Sequence, residues 1–540
     1  MLRPATGSAA TRMNRTFAGL SVLLLLPALL LASGERWVYR WMGPGIQDGT
    51  ANDVVCDGSA NVYAAGWFRD SLTGRQHWAV LGLSSTGHLR WTYAYDDSGS
   101  SFDQACAIAL GTDGNLYTGG TTWTDSTYQD FTIISLTTDG QERWVRRPRD
   151  LEDGSATSIA CDSSGRIYVA GHMQSLFTVV CLDTAGATRW VYNHQDTTGP
   201  SDLARSVTVG TDGNIYAAGN TAGDNIFSDF AVISLDSTGH ERWVYEYDGP
   251  GAWSDYAYAV AWGDDGNVHA AGLSWESDFT NDDFTVISLT PEGGERWVYR
   301  YVGDWFDVAY DVTYGADGNV YACGTSTEQA WYQFTVTSLT KDGVERWSRR
   351  YGTGENDKAY SLAMGADRHI YAAGVTAVPV AEFATFCLDT AGSRVWMCTT
   401  GFYVHGAAAQ GMACGTDGNV YVAGASGDDR VTRRLFTVAS FAPVPGVCEP
   451  GSLPFEGHTG IPGFAFGRIP ARLLGKHAYP VRMTIHDCRG ALVAEEVVTA
   501  SDMWPATAVR VAGRLAGGVY LLQVRTRAGE TGSAKVLRLR

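Results

Sequence analysis

Two sets of side chains in this chain are of types that act on ligands. Five aspartates, Asp103, Asp202, Asp255, Asp307 and Asp357, each stand two residues before an alanine. Gathered round one axis, they would make a negative mouth that attracts cations. Kept apart, each would cap its own loop by accepting nearby N–H groups. Asp307 or Asp357 would also be the acid to use in a polysaccharide lyase or hydrolase. The second set is aromatic: Trp67, Trp123, Trp253, Trp275, Trp305 and Trp331, with Tyr128 and Tyr403. Flat rings stack on sugars and are enriched at protein contacts. The alternative is that they fold back over their neighbours. Familiar catalytic patterns are missing. There is no G-x-S-x-G, H-E-x-x-H or phosphate-binding loop, and no spacing links His194, His269, His369 and His405. The turn Asp264-Asp265-Gly266 lacks the rest of a calcium loop, so calcium there is unsupported.

A repeat must position these residues. The step Tyr-x-x-Gly occurs at Tyr63–Gly66, Tyr117–Gly120, Tyr168–Gly171, Tyr216–Gly219, Tyr321–Gly324, Tyr371–Gly374 and Tyr421–Gly424. His269–Gly272 is an eighth copy. Twelve residues before each Tyr or His stands an alanine, from Ala51 to Ala409. A turn such as Asp212-Gly213-Asn214 precedes the Tyr. Each unit continues with a phrase like Phe284–Leu289 (FTVISL) and another like Glu295–Tyr299 (ERWVY). The aromatic and the Trp keep a separation of 13 across a D-G or T-G turn. Residues that tolerate positive φ at these points predict hairpins, and so four short strands per unit. Four strands in roughly 50 residues, eight times over, predict an all-β, eight-bladed β-propeller.

The Trp strands are offset by one. Trp37 precedes the first alanine strand, while Phe436–Phe441 has no Trp strand after it. The segment around Trp37–Trp41 is therefore expected to complete the eighth blade and close the ring over residues 35–442. Alanine suits the innermost strand, where blades converge. Tryptophan on the outermost strand supplies a large apolar block against the next blade. The loops that vary most run from the Tyr or His to the third-strand aromatic, from 9 residues (Tyr168–Phe177) to 15 (Tyr63–Trp78). Variable loops on a rigid scaffold are where function is expected.

At the stretch Asp202–Gly219 (DLARSVTVGTDGNIYAAG) the unit resembles the SBBP-type propeller repeat of bacterial exported proteins. That resemblance spans about 400 residues and implies a propeller with no single activity. Leu182–Trp190 (LDTAGATRW) is similar to the Trp-docking motif of eight-bladed quinoproteins, but the dehydrogenase pattern that should surround it is missing. A quinone is thus a minor alternative, and no cofactor is expected.

The two ends of the chain differ from the ring. Arg3, Arg12 and Arg15 precede an apolar run, Phe17–Leu31, and the small residues Ala32-Ser33-Gly34 follow. This reads as a signal peptide over 1–34; the run is short for a span and Pro27 interrupts it. No other stretch approaches ~18 apolar residues, so no transmembrane span is expected in the mature chain. Pro443, Pro445, Pro450 and Pro454 mark a linker over 443–454. Beyond it, residues 455–540 carry 12 Lys+Arg against 6 Asp+Glu. Strands at Val481–Asp487, Ala491–Val498, Ala508–Val511, Gly518–Arg525 and Ala534–Leu539 predict a small Ig-like sandwich. Ile485–Val493 (IHDCRGALV), Gly517–Val524 (GGVYLLQV) and Lys535–Arg540 (KVLRLR) resemble the C-terminal sorting domain of type IX secretion cargo. The resemblance implies contact with that secretion machinery; a plain accessory sandwich would carry the same phrases.

Cysteines occupy repeat slots. Cys56, Cys161 and Cys414 share one, and Cys181 and Cys387 another, so buried free thiols are expected rather than disulfides. The whole chain has 40 Lys+Arg and 58 Asp+Glu, a net charge of −18, which disfavours nucleic acid as a partner. The sequence thus predicts an exported, extracellular or surface-located monomer that binds a glycan or a surface protein. A polysaccharide-active enzyme, a quinoprotein-like propeller and a purely structural surface element are the alternatives.

Overall fold

A computed structural model gives the architecture. It describes residues 35–442 apart from 42–44, 97–101, 124–128, 148–152, 195–201, 223–226, 252, 277–280, 304, 329–330, 353–355, 378–380, 401–407 and 429–430. In the tail it describes 464–466, 481–487, 492–498, 518–526 and 531–538. The chain divides into two compact units, Met1–Pro450 and Gly451–Arg540.

The first unit is a β-propeller of eight four-stranded antiparallel sheets. Blades 1 to 7 cover 46–95, 104–146, 154–194, 203–247, 256–301, 308–351 and 358–400, each laid down in chain order from the innermost strand outward. Blade 8 takes three strands from 408–441 and its outermost strand, Glu35–Arg40, from the other end of the ring. Trp37 pairs with Ser440 and Tyr39 with Val438. The innermost strand of blade 8 (Ala408–Cys414) packs against that of blade 1 (Ile46–Cys56), so the ring is closed. Closure through an N-terminal strand is what the offset of the Trp strands predicts.

The repeated phrases are small hydrogen-bonded devices. In the D-G-N-x-Y turn, the Asp212 carboxylate accepts from Asn214 N at 3.1 Å, Asn214 Nδ2 at 2.7 Å and the Tyr216 hydroxyl at 2.6 Å. Gly213 sits at φ +79°, which its missing side chain permits. The E-R-W-V-Y phrase staples one blade to the next. Trp243 Nε1 donates to Pro291 O at 3.0 Å, and its indole lies on Gly293, the hairpin glycine of the following blade. Arg242 reaches both Ser234 Oγ and the same Pro291 carbonyl, each at 2.9 Å. Tyr245 donates to Glu295 at 2.7 Å, so the Glu of one phrase receives the Tyr of the phrase before it. The packing role expected of the outer Trp is thus joined by a polar one.

The eight alanines are fully buried. Each faces a glycine across the sheet, as Ala204 faces Gly219, and the register then slips by one residue. A Cβ on Gly219 would run into the Leu203 carbonyl oxygen, so glycine is required where the bulged inner strand crowds the second.

The second unit contains one five-stranded antiparallel sheet among its described residues. Its strands include Val481–Asp487, Leu492–Val498, Gly518–Thr526 and Thr531–Arg538, close to four of the expected ones. Ala508–Val511 lies outside the described residues.

Candidate functional site

The five aspartates are built into the seams between blades. Asp103, Asp202, Asp255, Asp307 and Asp357 are 0–3% exposed. Each carboxylate accepts from the backbone N–H twenty residues later: Trp123 at 3.1 Å, Ala222 at 2.7 Å, Trp275 at 2.8 Å, Thr327 at 2.6 Å and Ala377 at 2.7 Å. Their own N–H groups bond to the preceding blade, as Asp255 N does to Ser228 O at 2.6 Å. The spacing that would make an open ring of charge instead pins each loop to two blades, with the charge turned inward. Asp307 and Asp357 are held this way too, so neither faces solvent as a cleavage acid. Burial pushes the Asp255 carboxyl up to about 7, against the bonds from Gly249 and Trp275 N–H.

The loop tryptophans are shared out among blades. Trp253 and Trp275 come together, with ring centroids 5.9 Å apart, and Phe227 lies 4.6 Å from Trp253. Trp305, 67% exposed, is next to them through its carbonyl, which accepts from Asp282 N at 3.1 Å. Asp282 itself pairs with Trp275 across the sheet. Trp331, 48% exposed, stands on blade 6. Trp67 lies on blade 1 under the Arg434 guanidinium, and Trp123 on blade 2 edge-on to Phe102. Tyr128 and Tyr403 lie outside the described residues.

A third group, which the repeat did not single out, lines the axis. The register slip after each alanine leaves one bulged residue per inner strand: Asn52, Cys106, Thr157, Arg205, Tyr258, Tyr310, Tyr360 and Gln410. A bulge re-aims its side chain, and here the innermost strands pack neighbour to neighbour round the axis. Bulged residues of consecutive blades therefore meet. The Arg205 guanidinium lies 5.1 Å from the Tyr258 ring, Tyr258 5.5 Å from Tyr310, and Tyr310 5.3 Å from Tyr360. Blades 4 to 7 thus present one continuous cationic and aromatic arc. Elsewhere the bulged residue is Asn52, Cys106, Thr157 or Gln410, and two of these bond to the next blade: Asn52 Nδ2 donates to Ala105 O and Thr157 Oγ1 to Ala204 O, each at 2.7 Å.

The residue after the bulge ties adjacent inner strands together. Asp53 Oδ2 accepts from Ile108 N at 2.9 Å, and Asp311 Oδ2 from Leu362 N at 2.8 Å. Ser158 and Ser206 do the same with Val207 and Val260, both at 3.2 Å. Burial pushes Asp53 and Asp311 up to about 6 despite these bonds.

Other candidates are structural in their surroundings. His269 is buried in the Tyr slot, stacked on Tyr314 at 5.3 Å, with Nε2 3.3 Å from Asp265. Asp265 also receives Asn267 N and Arg296, so the Asp264-Asp265-Gly266 turn has its acceptors engaged. Among the described residues no group of three or more His, Cys, Asp or Glu is placed to hold a metal. Eight described cysteines, including Cys56, Cys161 and Cys414, are free thiols. Among the described residues no helix is long and apolar enough to cross a membrane.

No family model and no curated protein matches the chain. Among solved structures it is similar to Sqt1 from Chaetomium thermophilum, at 12% identity and a TM-score of 0.51, covering 76% of this chain and 99% of that one. It is also similar to a periplasmic gluconolactonase from Pseudomonas aeruginosa, at 13% identity and a TM-score of 0.38, covering 61% and 97%. A protein from Lactobacillus plantarum gives 10% identity and a TM-score of 0.39, covering 66% and 96%. At 12% identity, the likeness to Sqt1 shows the β-propeller fold alone.

Proposed function

We propose that this chain is an exported propeller of the SBBP-repeat type that binds a glycan or a surface protein, and that residues 455–540 deliver it to the cell surface or medium. The observation that carries the binding role is the aromatic surface of blades 4 to 6: Phe227, Trp253 and Trp275 in contact, with exposed Trp305 beside them. A rigid ring presenting flat rings at one rim is suited to stacking on sugar faces or to anchoring a protein partner. A role as monomer and without cofactor is part of the same reading. The polysaccharide-cleaving alternative is weakened by the seam bonds of Asp307 and Asp357.

A glycan and surface-protein array should show selective binding by the mature chain. Trp275→Ala and Trp305→Ala should weaken it by about tenfold or more, as loss of an aromatic anchor does. Binding that survives both substitutions unchanged would remove the rim from consideration. Product release from a polysaccharide panel would instead favour the enzyme reading.

Delivery rests on the tail's resemblance to type IX cargo, its basic character and the leader-like segment over 1–34. Deleting residues 455–540 should leave a folded propeller in the periplasm, found by fractionation and immunoblotting. Undiminished surface delivery of the truncated chain would refute the sorting role.

A further inference from the structure

Two cations, on the inner strands of blades 4 and 7, have no carboxylate partner among the described residues. Arg205 is half-buried between Tyr256 and Tyr258, whose ring centroids lie 5.5 and 5.1 Å from its guanidinium carbon. A guanidinium has five N–H donors. Among the described residues one bond is made, from Nη2 to Asn220 Oδ1 at 3.3 Å, and buried Nε has no partner there. Among the described residues no carboxylate lies within 4 Å of it. Lys358, two residues before Tyr360 on the inner strand of blade 7, lies 4.8 Å from the Tyr332 ring and 5.8 Å from that of Phe306. It too forms no ion pair among the described residues. Burial pulls the proton affinity of both cations down. Leaving buried cations unpaired is costly, and the cost is removed when an anion arrives. Arg143, Arg296 and Arg346, on outer strands, by contrast each have an aspartate within 4 Å.

Between these cations runs the arc Tyr258–Tyr310–Tyr360. Its three hydroxyls make no hydrogen bond to protein among the described residues. Burial keeps the phenols protonated, so they serve as donors as well as flat surfaces. Among the described acids, Asp282 acts electrostatically on both Tyr258 and Tyr310. Burial and neighbouring Asp283 hold its carboxyl at about 7. A doubly charged phosphate would be repelled by that acid as it ionises, whereas a single carboxylate meets less opposition.

We propose that the axial mouth of blades 4 to 7 binds a carboxylate-bearing sugar, the acid paired with Arg205 and Lys358 and the ring laid against the tyrosine arc. The proposal rests on the binding-module reading and names its ligand class. It uses other side chains than the aromatic rim around Trp275, so substitutions in the two sets test the two readings separately.

The test is calorimetric titration of the mature chain with uronate trimers (galacturonate, glucuronate and mannuronate), a neutral galactose trimer and galactose 6-phosphate. At least one uronate trimer should bind at least about tenfold more tightly than the neutral trimer, and more weakly as salt rises. Arg205→Gln should weaken uronate binding at least about tenfold and leave the neutral trimer unaffected. Arg205→Lys, which keeps the charge and loses the fork, should fall between. Thermal melts of both variants establish that they fold. No uronate binding, equal binding of acidic and neutral trimers, preference for the phosphate, or uronate binding indifferent to Arg205 in a folded variant would each overturn the proposal. Neutral-glycan binding lost in Trp275→Ala, together with no uronate binding, would overturn it while leaving the binding-module reading in place; an array without any binding would remove both.

Discussion

A chain that begins at residue 42 should fail to form a stable ring, while one that begins at residue 35 should be stable. Residues 35–40 supply the outermost strand of blade 8. Trp37 is 1% exposed, donates from Nε1 to Ser85 O at 3.0 Å and lies on Gly87 of blade 1. Trp41 packs its ring 5.0 Å from Phe68 of blade 1 and 6.0 Å from Phe436 of blade 8. These contacts bridge the two ends of the propeller, so their loss is felt by the whole closure. Trp37→Ala alone should cost about 3–5 kcal/mol, the range for a buried Trp truncated to Ala. Removing the strand should cost more and leave the third strand of blade 8 (Val431–Phe441) with an unpaired edge, which promotes association. Urea unfolding would show a lowered midpoint for the variant, and size-exclusion chromatography would show aggregates for the truncated chain. Equal midpoints for the chains starting at 35 and 42 would contradict closure by this strand.

The second large effect is on pH. Burial raises Asp53 and Asp311 to about 6, and Asp255 and Asp282 to about 7, from an ordinary value near 3.8. The folded state therefore holds these protons more tightly than the unfolded state. Their contribution is fully present below about pH 4 and is lost as pH rises through 6 to 7. A tenfold difference in proton affinity between the two states is worth about 1.4 kcal/mol, so Asp53 and Asp311 each account for something on the order of 2–3 kcal/mol. The turn aspartates act in the opposite sense. Burial raises Asp265, but the bonds from His269 and Asn267 outweigh it and hold the carboxyl at about 2. Asp113 and Asp212 are lowered likewise by their Tyr and Asn partners. That stability is present above the unfolded value and is lost as pH falls through the folded ones. The two sets together place maximum stability near pH 4, with a fall towards neutrality. Urea midpoints at pH 5 and pH 7.5 would show it, and Asp53→Asn should flatten the slope between them. A midpoint higher at pH 7.5 than at pH 5 would count decisively against these buried acids.

The blades were legible because their signals are local and repeated. Asp212-Gly213-Asn214 makes its bonds within six residues, and the Trp separation of 13 measures one hairpin. The seam role of the aspartates was only half legible. Their position before the alanine is visible in the chain, but the partner lies twenty residues on, at the end of another strand. The scatter of Trp67, Trp123 and Trp331 over separate blades also needed the ring, since loop position alone does not say which rims face each other.

The axial arc was hidden for a specific reason. The residue after each alanine takes six identities in eight copies: Asn52, Cys106, Thr157, Arg205, Tyr258, Tyr310, Tyr360 and Gln410. A search for sameness passes over it, although variability beside an invariant alanine is itself the mark of a site on a scaffold. The chain alone determined eight blades, their hairpins and their closing strand, because each follows from spacing within about fifty residues. Only the closed ring decided that a guanidinium at 205 and tyrosines at 258, 310 and 360 become neighbours. Each belongs to a different blade, and contact between them exists only because eight bulged strands converge on one axis.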